Sequence, residues 1–243
     1  MMRLALVVLA AVALAPRDAG AQLDELLKQL PPLPGATRGA APLDDVRIGQ
    51  GLKQALEVAT ERTVALTGRT DGYFKNQAIK ILMPDKLKTF ERALRAVGYD
   101  RDVADFVLKM NRAAERAAPA AKKIFWDAIG EMTIDDARGI LRGTETATTD
   151  YFKSKTTPQL TTAFSPIVHR TMGELGVTRQ YQDLFGRAQR LPFLDLEAFD
   201  LDHYVVGRAL DGLFHVIGEE EKRIRTDPTA RVTDLLREVF SQR

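Results

Sequence analysis

Between Asp200 and Arg225 (DLDHYVVGRALDGLFHVIGEEEKRIR) apolar residues cover more than half of a helix circumference, and a helix of that kind is stable only when other helices surround it. Leu201, Tyr204, Val205, Ala209, Leu213, Ile217 and Ile224 recur at three- and four-residue steps, and Val206, Leu210 and Phe214 widen the stripe. His203, Asp211, His215 and Glu219 occupy the remaining side at multiples of four. Three glutamates, Glu219 to Glu221, then give way to Lys222, Arg223 and Arg225. The spacing predicts Glu219–Arg223 and Glu221–Arg225 pairs, with the cations at the carboxyl end, where the helix dipole favours them.

The opening MMRLALVVLAAVALAPRDAGAQ has one early cation, Arg3, an apolar run from Leu4 to Ala15, and small residues up to Ala21. This is the pattern of a signal peptide (1–21) cut after Ala21, and the run is too short for a membrane span of roughly 20 apolar residues. A periplasmic or secreted protein is therefore expected, with no transmembrane span. Leu23 to Leu30 can form two helical turns. Pro31, Pro32, Pro34, Gly35, Gly39 and Pro42 follow, so 22–42 reads as a short helix and a Pro/Gly-rich tether, and 43–243 as the folded domain.

The chain has no cysteine, which removes disulfides, thiolate metal sites and cysteine nucleophiles together. Its formal charge of +2, about +1 without the leader, gives no reason to expect nucleic acid as a partner.

Helix signals then follow one another along the domain. A stripe of Ile48, Leu52, Leu56, Ala59, Thr63 and Leu66 ends at Gly68, and Asp71-Gly72 marks a turn. Tyr73 to Met83 lacks a clear period and reads as an irregular crossing stretch, with a two-stranded ribbon as the alternative. Pro84-Asp85 starts a helix that reaches Gly98. Asp100 caps a pattern that keeps step to Ile129, with an alanine-rich middle and a kink or break predicted at Pro119. Thr133 to Asp136 has the form of a capping box for a helix that Gly143 stops. Thr157-Pro158 reads as a cap and first-turn proline opening a helix to Leu175, and Gly176 separates it from one over Val177 to Gln189. An apolar connector, Leu191 to Phe199, precedes the Asp200 helix, and Val232 to Phe240 forms a last short one. Eight or nine helices with short loops make an all-α, bundle-like single domain.

Several blocks in this order, GLKQALEVATERTV at Gly51, GRTDGYFKNQAIKI at Gly68, MNRAAERAAPAAKKIFWDAI at Met110, MTIDDARGILRG at Met132, ATTDYFK at Ala147 and ALDGLFHVIGEEEKRIRTDPTARVTDLLREVF at Ala209, resemble the bacterial family catalogued as domain of unknown function 4197. The resemblance spans Ile48 to Phe240. It implies an exported helical protein of Gram-negative envelopes and carries no catalytic residues.

Enzyme chemistry finds no foothold in the motifs. The three serines lie outside any Gly-x-Ser-x-Gly elbow, and no phosphate loop, dinucleotide fingerprint or His-Glu-x-x-His motif occurs. No cofactor and no enzymatic activity are expected. The one metal-like pattern is the His203, Asp211, His215 and Glu219 stripe, with His169 available from another helix; a solvated face is the competing reading. Asp135 and Asp136 read as helix-starting acids, Asp71-Gly72-Tyr73 as a plain turn, and Trp126 as core.

Phe106, Met110, Phe125, Met132, Phe152, Phe164, Met172, Phe185 and Phe214 are large or adaptable apolar residues spread over several helices. They can line a cavity for a lipid-like small molecule, the expected function, or fill a close-packed core. The second expectation is an interaction or assembly module for an envelope protein partner, with the Glu219 to Arg225 charges or the Val232 to Phe240 helix as contact surface. Metal binding on the histidine stripe is the third.

Overall fold

A computed structural model describes residues 45–188, 199–230 and 237. The chain divides into two units, Met1–Pro42 and Leu43–Arg243, and every described residue belongs to the second. The α-helices are α1 (Asp45–Gly68), α2 (Lys88–Ala96), α3 (Asp100–Ala117), α4 (Ala121–Glu131), α5 (Ile134–Arg142), α6 (Ala147–Glu174), α7 (Val177–Ala188) and α8 (Leu201–Thr226). Single 3-10 turns lie at Asp85–Leu87, Ala118–Ala120 and Pro228–Ala230, and there is no strand among the described residues. The all-α expectation holds.

The wide apolar face of α8 is buried against α6, α1 and α3. His169 on α6 meets Asp202 on α8, Lys153 stands over Phe214, and Thr149 meets Glu221, so α6 and α8 run antiparallel along each other. Small side chains explain how a third helix comes so near: Ala113, Ala114 and Ala117 of α3, Ala118 of the following turn and Ala121 at the start of α4 are wholly buried where these elements meet α6 and α1. Pro119 breaks the long pattern as expected, and the 3-10 turn it occupies separates α3 from α4.

The local signals act as their chemistry demands. The Thr133 hydroxyl accepts from the Asp136 amide (3.1 Å), and the Asp136 carboxylate accepts from the Thr133 amide (3.0 Å), a reciprocal capping box. Asp200 accepts from the His203 amide (2.9 Å) and caps α8. Asp71 has φ +67°, and Gly72 lies so close beneath the end of α1 that a Cβ there would stand 2.3 Å from the Leu66 carbonyl oxygen, leaving room for glycine alone.

Four expectations are corrected. Asp100 caps no helix: it is the first residue of α3, and the preceding Tyr99 makes no side-chain cap bond. Thr157-Pro158 opens no helix, because α6 runs unbroken through both Pro158 and Pro166. Each proline withdraws a donor from the carbonyl four residues back, and both prolines, with Ser154 and Thr162, are exposed, so water can take those carbonyls. Trp126 is not core: it is 43% exposed, with the Lys122 ammonium 4.5 Å from its ring centre. Arg223 pairs with Glu220 (3.2 Å) rather than Glu219, whereas Glu221 and Arg225 do pair (2.8 Å). The leader, the tether, the 191–198 part of the connector and the Val232 to Phe240 helix fall outside the described residues, Arg237 excepted.

Candidate functional site

The crossing stretch after α1 has no secondary structure of its own, so its buried backbone groups need side-chain partners. Helix α3 supplies them. The Asn111 carbonyl oxygen accepts from the Ile81 amide (2.9 Å) while its NH2 donates to the Ile81 carbonyl (2.8 Å). One oxygen of the buried Glu115 accepts from the amides of Tyr73 (3.1 Å) and Phe74 (3.2 Å), and its other oxygen takes Arg112 (2.6 Å), which also reaches Asp71 (2.7 Å). Hydrogen bonds from Lys75 and Arg112 hold the Asp71 carboxyl below its ordinary value.

From the other side α8 grips the same stretch. The Tyr73 hydroxyl donates to the Ala209 carbonyl (2.7 Å), and Tyr204 donates to that of Leu82 (2.9 Å). Burial first, then the nearby Glu115, pushes the Tyr73 hydroxyl far above its ordinary value, so it remains a donor. Gly212 permits the approach: a Cβ there would lie 2.6 Å from the Tyr73 ring.

These ties place Ala78 and Ile79 beside α8 as one wall of a groove of about 490 Å³. The first turns of α6 and the preceding loop form the opposite wall, with Glu145, Thr146, Thr149 and Lys153. The floor is α8 itself, contributing Gly212, Phe214 and Gly218, with Arg208, Asp211, His215, Glu219 and Lys222 along its rim. The start of α6 is fixed from across the fold. Glu221 accepts from the Thr148 amide (3.0 Å), the Thr149 amide (3.1 Å) and the Thr149 hydroxyl (3.1 Å), and Arg225 secures Glu221 while donating to the Ile140 carbonyl (2.9 Å). A buried carboxylate at a helix N-terminus satisfies orphan amides and complements the dipole.

The groove's charge is evenly divided. Lys153, Arg208 and Lys222 face Glu145, Asp211 and Glu219; Arg208 and Asp211 pair with each other (3.1 Å). The other four have no ion-pair partner among the described residues.

The histidine stripe is split by this geometry. Asp211, His215 and Glu219 border the groove, whereas His203 lies outside it and His169 bonds Asp202 (2.6 Å) on the exposed surface. Among the described residues no three His, Asp or Glu side chains converge as metal ligands. The apolar candidates lie elsewhere. Phe106, Met110, Phe125, Met132, Phe152, Phe164 and Met172 are buried in one continuous core, where the Phe125 ring meets Phe152 edge-on at 4.9 Å. Of the candidates, Phe214 alone borders the groove, packing its ring on Phe125 (6.2 Å) from below. The side chain of Phe185 lies outside the described residues. The Glu219 to Arg225 cluster is largely internal: Glu220, Glu221 and the Arg225 head are buried, and only Glu219, Lys222 and Arg223 face outward.

Glu145, Thr146, Thr149, Lys153 and the Ala78-Ile79 wall are absent from the expected sites. The signal that marks the floor is the pair of glycines at 212 and 218 inside a strongly periodic helix, since an interior helical glycine costs about 1 kcal/mol and calls for a packing reason. Among the described residues no helix is long and apolar enough to cross a membrane. No curated protein and no solved structure matches the chain. A family model described as "Protein of unknown function (DUF4197)" matches residues 42–241, and the protein belongs to that family.

Proposed function

We propose that the protein is an exported, non-enzymatic interaction module, a packed helical body that offers the α8 groove to another component of the cell envelope. The reading of 1–21 as a cleaved leader and the periplasmic or secreted destination are part of this proposal. The observation that carries it is the filled interior: the residues available to line a lipid cavity pack on one another instead. An apolar crevice between α1 and α8, bordered by Leu52, Leu56 and Ile224, has a volume of about 10 Å³, no more than one water requires. Carriage of a lipid-like molecule is the competing reading and needs several hundred Å³ of apolar space.

The test is native mass spectrometry of the protein purified from a bacterial periplasm without detergent, joined to photo-crosslinking in cells from positions 222 and 92. A mass free of lipid and a discrete protein adduct from position 222 in the groove, absent from position 92 on the exposed side of α2, are expected. Lipid adducts at near-stoichiometric level, removed by solvent extraction, would reverse the conclusion in favour of carriage.

A further inference from the structure

We infer that the groove along α8 receives an extended peptide segment of a partner protein, near neutral overall and bearing side chains of both signs. This deepens the interaction reading and rests on it.

Rim residues run from Arg208 to Lys222 on one helix, which at 1.5 Å per residue is a track of about 21 Å. An extended chain covers that distance with about six residues. Spread over the track, 490 Å³ gives a mean cross-section of about 23 Å². A helix with its side chains is 10–12 Å across, so even half of its section, about 40 Å² or more, does not fit. A strand with one row of side chains turned in and the other turned out does, given strand and sheet spacings of about 4.8 and 10 Å.

Charge narrows the choice further. Lys153 and Lys222 have no acidic partner, and Glu145 and Glu219 no basic one, among the described residues. A hydrocarbon chain is as slim as a peptide, but it would strip water from these four charges and return nothing. A polyanion would meet as many acids as bases. A segment with both an acidic and a basic side chain answers each wall. Phe214 and Ile79 give an inward apolar side chain a surface to rest on.

The experiment uses the full mature chain and a phage-displayed library of random heptapeptides, with enriched sequences synthesised and their binding read by fluorescence anisotropy. Enriched peptides are expected to place an acid and a base around an apolar residue. His215→Trp, on the exposed rim, should weaken them at least ten-fold with circular dichroism unchanged, and the pair Lys153→Glu with Lys222→Glu should shift selection towards basic peptides. Arg92→Trp, on the exposed side of α2 and away from the groove, should leave affinity within two-fold. Absence of enrichment, affinity indifferent to His215→Trp, or equal affinity for a free Lys-Glu dipeptide would each overturn the inference. Crosslinking from position 222 that persists while no peptide binds would retain the interaction module and reject its extended-peptide ligand, whereas loss of the crosslink together with lipid adducts would reject both.

Discussion

Asn111 does for Ile81 what a neighbouring strand would do, presenting one donor and one acceptor to a backbone that has no ladder of its own. Asn111→Leu keeps the branched outline of the side chain and removes both partners, leaving a buried amide and carbonyl unpaired. Each costs about 1–3 kcal/mol, so urea denaturation should show a loss of roughly 2–6 kcal/mol. This role is invisible in the sequence, where Asn111 is one polar position in a helical pattern whose target lies 30 residues upstream. Trp126 fails for a related reason. It adjoins Phe125, but successive helical residues point about 100° apart, so one neighbour enters the core while the other meets Lys122 at the surface.

At the level of elements, the boundaries written in side chains that act within four residues are the ones a sequence discloses. The capping box at Thr133, the cap at Asp200 and the break at Pro119 are all of this kind. Pro158 is not, because whether a proline opens a helix or rides inside one depends on which face it occupies, and that face is set by distant packing. The Thr133 box makes a prediction with a definite sign. Hydrogen bonds from the Thr133 amide and then its hydroxyl hold the Asp136 carboxyl below its ordinary value of 3.8. Its folded value is depressed, so the stabilisation is present above 3.8 and disappears as pH falls through 3.8 to the folded value. Thr133→Ala should lower stability by about 1 kcal/mol at neutral pH. Thermal unfolding followed across pH 2 to 7 should show the gap between variant and parent narrowing at the acid end without vanishing, because the Thr133 hydroxyl still accepts from the Asp136 amide there.

For the whole molecule, one continuous core joins α8 to α1, α3, α4 and α6, and Phe125 touches both Phe152 on α6 and Phe214 on α8. Phe125→Ala should therefore cost about 3–5 kcal/mol in a single transition, with the helical signal and the fluorescence of Trp126 moving together during denaturation. That a helical core exists is plain from periodicity; whether it is full or hollow is not, since the same Phe and Met residues serve either end. The groove was legible only along α8, through Asp211, His215 and Glu219, because its walls come from stretches more than 50 residues away in the chain. Glu221 carries the same separation into the order of synthesis. It follows Thr148 by 73 positions, so a ribosome completes α6 well before it makes the carboxylate that seals that helix's first turn. Until α8 has been made, the first turn of α6 lacks its carboxylate cap and the core lacks the helix on which α1, α3 and α6 pack.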